Sequence, residues 1–390
     1  MISLFRPYMP QELQEVDAIL HSGALAYGKW GREFERKLGE YVGNSQILAT
    51  NSFNAAYQVA ITTLGLQPDD EVIGSPMTCL ASNQPFATQH VKVVWADIEP
   101  STGMLDVEEV RKKITPRTKA ILINHFCGYV GYVDEILSLA KEKGLYVIED
   151  AIEGFGSEYK GKKAGNLGAD VTVYSFQTVR LPNTIDGGAV SFKDKSLYEK
   201  AILVRDYGID RPRFRDDMKE ISPLCDIAIP GYGATPSEIN SYVGCMQMEV
   251  ISELLEKQQQ QACKWEVLLE EAGVKPVTVI PNTKPNYWVY GVLADNKRVF
   301  MEEWREKGYY ASGVHLPNTY YSVFGRQPEL KGVQEFYGKY VALVPDEAGA
   351  GIEKKYIDLK QTTLEAGSVY AVLATNESTN PKFFIKHLLN

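Results

Sequence analysis

The sequence alternates short apolar runs with amphipathic stretches between about residues 46 and 192. The short runs are rich in β-branched and aromatic residues, which is typical of buried strands. They fall at residues 47–49, 72–73, 91–95, 120–123, 145–148, 171–174 and 189–192. Segments 54–64, 106–113 and 134–143 carry apolar residues at helical spacing, and Asp106 and Asp134 open the last two as candidate N-caps. This order predicts an α/β fold in which helices cover a large, mostly parallel seven-stranded sheet.

A different pattern begins after residue 208. Residues 208–236 are rich in Gly, Pro and charged side chains, and a long helical segment follows at about 236–271. We place the domain boundary inside that helix, with a large α/β domain at 1–250 and a smaller C-terminal α+β domain at 251–390. The smaller domain is expected to contain a strand at 287–293 and a helix at 298–307, and the N-terminal segment could join it.

Charge and composition exclude several classes of partner. The chain of 390 residues has 41 Lys and Arg against 50 Asp and Glu, with a net charge of -9 and no basic run that could follow a phosphate backbone, so no nucleic acid is expected. No stretch approaches the roughly 18 apolar residues that a membrane helix needs, and the N-terminus does not resemble an export signal. Five widely spaced cysteines suggest neither disulfides nor a zinc site. We expect a cytoplasmic protein without a membrane partner or a metal.

Asp150 is the most informative single residue. It ends the apolar run that begins at Leu145, and ligands of open α/β sheets bind beyond the carboxyl ends of the strands. A carboxylate at that place could pair with a ring nitrogen of a ligand. It could equally cap the turn that follows the strand.

The sequence from Glu149 to Phe176, EDAIEGFGSEYKGKKAGNLGADVTVYSF, resembles the DegT/StrS-type sugar aminotransferases, a branch of the fold-type I pyridoxal phosphate (PLP) enzymes. Blocks at residues 22–25, 51–52, 97–100, 114–121 and 125–128 agree in the same order, and the likeness covers about residues 3 to 345. The resemblance implies a fold-type I aminotransferase-like fold and a PLP or pyridoxamine phosphate (PMP) cofactor. It also implies a nucleotide-linked keto-sugar as substrate, a pathway for unusual sugars or surface polysaccharide, and a homodimer with shared active sites.

The resemblance assigns roles to three positions, and the residue at a fourth position departs from the family pattern. Asp150 would bind the pyridine nitrogen, Glu153 would lie near the ring hydroxyl, and Ser175 would contact the phosphate. Arg180 occupies the position of the Schiff-base lysine. Arginine remains protonated and can neither form a Schiff base nor accept a proton from the substrate, so ordinary transamination through a lysine is not expected. Lys193 follows the next strand and should project away from this loop.

Other cofactor positions also depart from the family pattern. The turn expected to hold the phosphate reads Ser52-Phe53-Asn54, in which Phe53 replaces a glycine and could fill the phosphate space. Cys79 stands where an aromatic ring usually stacks on the cofactor. Gly233 replaces the asparagine with which a neighbouring subunit contacts the phosphate.

Candidates for proton transfer and substrate binding complete the predicted site. His125 and His315 match positions near the substrate cleft, and either could act as a base or serve as a hydrogen-bonded structural residue. Tyr320 belongs to a tyrosine cluster that could line the sugar and nucleotide cleft or pack between the lobes. Arg205 lies in the region that approaches the nucleotide diphosphate in the family, although a solvated charged loop is an equal interpretation.

Several functional hypotheses remain open on this evidence. The first is an enzyme that uses non-covalently bound PMP, as in related keto-deoxymannose dehydratases that have histidine at the lysine position. The second is a cofactor-free enzyme in which Arg180 anchors a carboxylate or phosphate of a sugar nucleotide. The third is a non-catalytic sugar-nucleotide binder or the inactive partner in a shared dimer. The last is a conventional aminotransferase in which the loop around Arg180 is aligned incorrectly.

Overall fold

The computed structural model describes residue 5 and residues 7–271 and 273–343. The part of the predicted small domain that follows residue 343 lies outside these described residues. No helix in the described ranges is long and apolar enough to cross a membrane.

The main sheet contains seven strands in the order β1-β9-β8-β5-β4-β2-β3. Only β9 runs antiparallel to its neighbours, β1 and β8, and the remaining neighbours are parallel, so the predicted mostly parallel seven-stranded sheet is confirmed. The strands of the chain are β1 Ile47–Thr50, β2 Glu71–Gly74, β3 Lys92–Trp95, β4 Thr118–Asn124, β5 Tyr146–Asp150, β6 Glu158–Tyr159, β7 Lys162–Lys163, β8 Val171–Ser175, β9 Gly188–Phe192, β10 Lys275–Pro276, β11 Thr283–Lys284, β12 Tyr290–Leu293 and β13 Tyr340–Leu343.

Helices cover both faces of this sheet. They are α1 Val16–His21, α2 Lys29–Val42, α3 Phe53–Leu64, α4 Leu80–Thr88, α5 Val107–Lys113, α6 Val133–Lys143, α7 Lys195–Arg205, α8 Arg211–Phe214, α9 Glu238–Glu271, α10 Lys297–Glu306 and α11 Lys331–Lys339. Side chains alternate between the two faces of a strand. In β5, Ile148 packs in the core cluster that contains α3, whereas Val147 packs in the cluster that contains α6. Asp150 therefore faces the α3 side of the sheet and Glu149 faces the α6 side.

A second, three-stranded antiparallel sheet follows the long helix α9. Its order is β10-β12-β13, and its core joins Trp265 of α9 to Trp304 of α10. A third small sheet has the order β11-β6-β7, with β6 in the middle. The chain after α9 therefore also contacts the large sheet domain through β11. The division at residue 250 stays a prediction, although α9 does span both regions.

The predicted helices differ from the observed ones mainly at their ends. The Asp106 carboxylate caps α5 by accepting hydrogen bonds from the amides of Glu108 and Glu109, as expected. The prediction for Asp134 is wrong: α6 begins at Val133 after Tyr132, and Asp134 lies in its first turn, where its charge faces the positive end of the helix. The helices α1, α2, α4, α7, α8 and α11 were not predicted.

Candidate functional site

Asp150 is fully buried at the carboxyl end of β5, with two fixed hydrogen-bond donors. The Asn124 side-chain amide, at the end of the neighbouring strand β4, donates to Oδ2 at 3.0 Å, and the backbone amide of Ile152 donates to Oδ1 at 3.1 Å. Burial raises the pKa of Asp150 above its ordinary value. A buried carboxylate with a raised pKa is stabilised by a cationic partner, such as a protonated ring nitrogen.

Glu153 lies one turn further along the chain and is the centre of a polar cluster. Its Oε2 accepts a hydrogen bond from the Cys127 amide at 2.7 Å, and its Oε1 meets His315 Nε2 at 2.7 Å and Arg180 Nη2 at 3.3 Å. Burial alone would raise the pKa of Glu153, yet the charges of His315 and Arg180 lower it to about 2. Glu153 is therefore an ionised carboxylate at neutral pH, held by three donors.

Arg180 has only one of its nitrogens paired. The side chain is 7% exposed, and the contact of Nη2 with Glu153 is long, while Nε and Nη1 are buried without a hydrogen-bond partner among the described residues. A guanidinium carries five N–H donors, and a buried donor that remains unpaired costs about 1–3 kcal/mol. The arrangement therefore favours a ligand with acceptor atoms beside Arg180.

Trp288 contacts two side chains of this cluster, Arg180 and His315. The Arg180 guanidinium lies 4.1 Å from the ring centroid of Trp288, and the His315 ring is nearly parallel to the indole at 6.3 Å. The indole Nε1 donates to the carbonyl of Val179 at 2.8 Å, which fixes the backbone immediately before Arg180. The loop that carries Trp288 is itself held by the Asn286 side chain, which donates to the carbonyls of Glu153 and Phe155.

His315 is the histidine that can reach a ligand. Its side chain is 14% exposed, its Nε2 contacts Glu153, and no hydrogen bond to Nδ1 is present among the described residues. If Nε2 donates its proton to Glu153, Nδ1 is left as an acceptor. In that tautomer His315 can accept a proton at Nδ1, and its position at the substrate cleft stays a prediction.

The geometry argues against His125 as the proton carrier. His125 is fully buried on the α6 side of the sheet, with Nε2 at 3.0 Å from Glu149 Oε1 and Nδ1 accepting from the Gly131 amide at 3.3 Å. Glu149 also accepts from Thr172 and from the amide of Gly165. Because adjacent residues of a strand point to opposite faces, the partner of His125 lies across the sheet from Asp150. The structural interpretation of His125 is the one that this geometry supports.

The beginning of α3 presents groups that suit an anion. The Ser52 hydroxyl accepts from the amide of Ala55 as an N-cap, so its own proton remains available to a ligand. Asn54 is exposed in the first turn, and Ser175 is buried at the end of β8. The ring of Phe53 is buried and meets the ring of Tyr57 edge-on at 6.5 Å, so it belongs to the core under α3.

Cys79 is the residue immediately before α4, and its side chain is half-buried. Burial raises the pKa of its thiol to about 11, the nearby charge of Glu153 adds to this effect, and Arg180 opposes it. The thiol is therefore neutral at physiological pH and does not provide a thiolate nucleophile. The same interactions indicate that Cys79 lies within electrostatic range of the polar cluster.

The structure gives a steric reason for glycine at position 233. A Cβ atom built on Gly233 would lie 2.1 Å from the hydroxyl of Tyr207, so Tyr207 occupies the space of a larger side chain. The Gly233 carbonyl accepts a hydrogen bond from the Asn51 side chain at 3.0 Å, and Asn51 immediately precedes Ser52. This loop therefore lies next to the beginning of α3 within the same chain.

The two remaining substrate predictions have different surroundings. Arg205 is 4% exposed; its Nη1 pairs with Glu35 and donates to the carbonyl of Ala49, and its guanidinium lies over the ring of Tyr27. This geometry joins α7 to α2 and does not favour a direct substrate contact. Tyr320 is 65% exposed and lies near the ring of Tyr337. Its role at the cleft stays a prediction.

Cys127, Glu153 and His315 place three potential metal-ligand atoms within 4.8 Å of one another. Two observations argue against a metal ion there. Burial raises the pKa of the Cys127 thiol well above its ordinary value, and the permanent cation Arg180 contacts the same carboxylate that would bind the metal. The cluster is better described as a hydrogen-bonded charge group.

A separate cavity of about 450 Å³ lies next to the small antiparallel sheet. It is lined mainly by tyrosines and residues near β10, including Tyr129, Tyr287, Tyr290 and Lys275. None of the predicted site residues lines it. The chemistry-bearing side chains are instead those around Asp150, Glu153 and Arg180.

Several residues of the site were not identified in the sequence. Asn124 could have been found, because it ends the strand next to β5 with a polar residue at the same edge of the sheet. Trp288 and Asn286 carry no local signal, since they contact Arg180 and Glu153 only through the return of the chain after α9.

The parallel α/β sheet with a polar cluster beyond β5 defines a fold-type I aminotransferase-like protein. A profile of the DegT/DnrJ/EryC1/StrS aminotransferase family matches residues 8–344. The chain belongs to this family.

Individual relatives agree with this assignment. The chain is 32% identical over 268 residues to the GDP-perosamine synthase of Caulobacter vibrioides, covering 68% of this chain and 69% of the relative. The sugar aminotransferase CalS13 from Micromonospora echinospora is 26% identical with a TM-score of 0.82, covering 88% of this chain and 94% of that chain. Spr1654 from Streptococcus pneumoniae, solved in its PMP form, has a TM-score of 0.82 at 21% identity, covers 90% of this chain and 96% of that chain, and shows the fold alone.

The family implies PLP or PMP as the cofactor, and several residues of the site suit such a group. Asp150 supplies the buried carboxylate, and its raised pKa is what a cationic ring nitrogen would relieve. Ser52, Asn54 and Ser175 supply polar groups near the beginning of α3 and the end of β8. Position 180 supplies a guanidinium that is already paired with Glu153, and arginine cannot provide the free amine of a covalent anchor.

Proposed function

We propose that this protein acts on a nucleotide-linked keto-sugar with PMP bound non-covalently, and that it does not carry out ordinary lysine-dependent transamination. The observation that carries this proposal is the buried Arg180 beside Glu153, at the position that resembles the family's lysine. The buried carboxylate of Asp150 at the end of β5 and the match to the sugar aminotransferase family support the cofactor and the substrate class. Unusual-sugar or surface-polysaccharide biosynthesis is the corresponding pathway class.

The residues of the chain have distinct roles in this proposal. When bound, the cofactor supplies an electron-accepting ring that stabilises negative charge at a substrate carbon. Asp150 keeps the ring nitrogen protonated, and Ser52, Asn54 and Ser175 bind the phosphate. His315 moves the proton through Nδ1, because its other nitrogen is held by Glu153 at 2.7 Å. Arg180 orients Glu153 and does not itself exchange a proton.

The first test is cofactor retention. Protein purified without added cofactor is incubated separately with PLP and with PMP, the excess is removed, and the absorbance spectrum and intact mass are recorded. We expect stoichiometric retention of the PMP chromophore with no covalent adduct. Retention of neither form would contradict the proposal.

An Arg180→Lys variant adds a sharper comparison. Borohydride reduction of the variant after incubation with PLP should add the mass of the cofactor, whereas the unchanged protein should gain no mass. Arg298→Lys, at an exposed position of α10, is the control for non-specific labelling. Labelling of the unchanged protein at stoichiometric amounts would show that another lysine serves as the anchor.

Once the cofactor state is known, nucleotide-linked keto-sugars are screened with the PMP-loaded protein. Dehydration or a single half-transamination is the expected outcome, followed by mass spectrometry of the sugar product. Repeated amino transfer from an amino-acid donor without added PMP would instead indicate a conventional aminotransferase.

A cofactor-free enzyme on the same fold is the second candidate. It is favoured by the buried Nε and Nη1 donors of Arg180, which have no partner among the described residues and are suited to a direct ligand contact. In this alternative Arg180 anchors the sugar nucleotide directly. Absence of cofactor retention together with binding of a sugar nucleotide would select this candidate, and binding without turnover would select the non-catalytic alternative.

The proposed assembly is a cytoplasmic homodimer whose active sites lie at the subunit junction, as the family resemblance implies. Light scattering coupled to size exclusion should give twice the chain mass of 43.6 kDa. A monomer at micromolar concentration would contradict this part of the proposal.

A further inference from the structure

Arg180 is a buried cation with more hydrogen-bond donors than the protein satisfies. Among the described residues, only Nη2 contacts an acceptor, at 3.3 Å, and that acceptor, Glu153 Oε1, has a shorter partner in His315 at 2.7 Å. The Nε and Nη1 groups are buried with no partner in the described ranges, and the residue as a whole is 7% exposed. The great majority of buried polar groups in folded proteins have a hydrogen-bond partner. These unpaired donors therefore indicate a ligand that supplies acceptor atoms.

The surroundings fix the guanidinium in place. Its Cζ atom lies 4.1 Å from the ring centroid of Trp288, and the indole Nε1 of Trp288 donates a hydrogen bond to the carbonyl of Val179. A guanidinium held on an aromatic face presents its donors in one plane, which matches the planar oxygens of a carboxylate. Arg180 is therefore preorganised for a forked contact with a planar anion.

The phosphates of the expected ligands have other candidate partners in the chain. Groups that suit the cofactor phosphate lie at the beginning of α3, around Ser52. The diphosphate of a sugar nucleotide is attached at the end of the sugar that is remote from the reacting carbon. Arg180 is instead in the polar cluster with Glu153 and within electrostatic range of Cys79, near Asp150.

We propose that Arg180 binds a carboxylate next to the reacting carbon, so that the protein selects a carboxylate-bearing substrate. This inference rests on the proposed function, since it places the reacting carbon at the Asp150 and Glu153 end of the site. The carboxylate can come from a nucleotide-linked sugar acid or from a free amino acid that donates or accepts the amino group. The observations favour the same chemistry in both cases, and the experiment separates the two sources.

Isothermal titration calorimetry is performed on the full chain with and without PMP. One arm compares UDP-glucuronate with UDP-glucose and GDP-mannuronate with GDP-mannose, because the two members of each pair differ only at the C6 group. The other arm compares L-glutamate with L-isoglutamine, which lacks the α-carboxylate. The variants are Arg180→Gln, Arg180→Lys and the exposed control Arg298→Gln.

We expect one ligand to bind about tenfold to hundredfold more tightly than its counterpart, in which a neutral group replaces the carboxylate under comparison. Arg180→Gln should abolish that preference, while Arg298→Gln should leave the affinities for both members of the pair within about twofold. Discrimination within a nucleotide-sugar pair identifies a sugar acid, and discrimination only within the amino-acid pair identifies the free donor. If Arg180→Gln does not fold, Arg180→Lys should show a smaller preference because a single ammonium lacks the planar fork.

Equal affinities within every pair, or a preference that survives Arg180→Gln, would overturn the inference. Such a result would leave the proposed function intact if the neutral sugar nucleotides still bind and PMP is still retained. Failure of all sugar nucleotides to bind, with a carboxylate preference in the amino-acid arm, would support Arg180 as the anchor and contradict the proposed substrate class. Absence of binding by every ligand would contradict both.

Discussion

Two histidine–glutamate pairs lie on opposite sides of the same sheet, and they have opposite surroundings. His125 and Glu149 are both fully buried on the α6 side, and both ring nitrogens of His125 have partners. His315 and Glu153 are on the side of Asp150, where His315 is 14% exposed and Nδ1 has no partner among the described residues. The same pair of residue types is thus fully enclosed in one place and partly exposed, with one ring nitrogen unpaired among the described residues, in the other.

The largest expected effect concerns turnover by His315. His315→Ala should lower kcat by about 10²- to 10⁴-fold on the substrate found in the screen, because a positioned general base contributes about that much. Steady-state kinetics of the variant and the unchanged protein tests it. His90→Asn, at an exposed position, is the control and should change kcat by less than twofold. An unchanged kcat for His315→Ala would remove the functional half of the comparison.

The second prediction concerns the stability of the closed pair. His125→Ala should lower the free energy of unfolding by about 3–5 kcal/mol, because it leaves the Glu149 carboxylate buried without its ring partner. His315→Ala should cost about 1 kcal/mol, since Glu153 keeps its contacts with the Cys127 amide and Arg180. Urea unfolding followed by circular dichroism measures both. Equal losses in the two variants would contradict the assignment of His125 to structure and His315 to the site.

The third prediction uses the pH dependence of Glu153. Its pKa is lowered from 4.5 to about 2, so its stabilising contribution is present above about pH 4.5 and is lost as the pH falls toward 2. The difference corresponds to roughly 3 kcal/mol. Asp150, whose pKa is raised, changes the free energy of unfolding in the opposite direction over acidic pH. This contribution is common to all the variants compared.

Urea unfolding between pH 6 and 3 should therefore show a steeper loss of stability for the unchanged protein than for Glu153→Gln. Glu256→Gln, at an exposed position of α9, should retain the slope of the unchanged protein. Parallel curves for the unchanged protein and Glu153→Gln would show that Glu153 is not held as a depressed carboxylate.

The sequence was sufficient for the sheet and for the family, whereas the roles of the candidate site residues stay predictions. Short apolar runs such as 171–174 predict buried strands because the strand preference of β-branched and aromatic residues depends on neighbours in the sequence. The order of the sequence blocks around Asp150 identifies the family. The roles of His125 and Arg205 could not be separated from structural roles, because burial and pairing depend on Glu149 and Glu35, which are distant in the sequence or on the opposite face. Trp288 was missed for the same reason: its contact with Arg180 spans more than a hundred residues.

The smallest expected effect tests whether Trp288 orients the reachable pair. Trp288→Phe keeps an aromatic face for Arg180 and His315 but removes the indole donor to the Val179 carbonyl. Losing one hydrogen bond should lower the free energy of unfolding by about 1 kcal/mol. Because Val179 precedes Arg180, a loosened loop should also weaken the preference for carboxylate ligands, whereas the His125 pair across the sheet should be unaffected. A loss of stability without any change in ligand preference would show that Trp288 contributes to packing alone. Glu153 would then be the residue that positions Arg180 and His315.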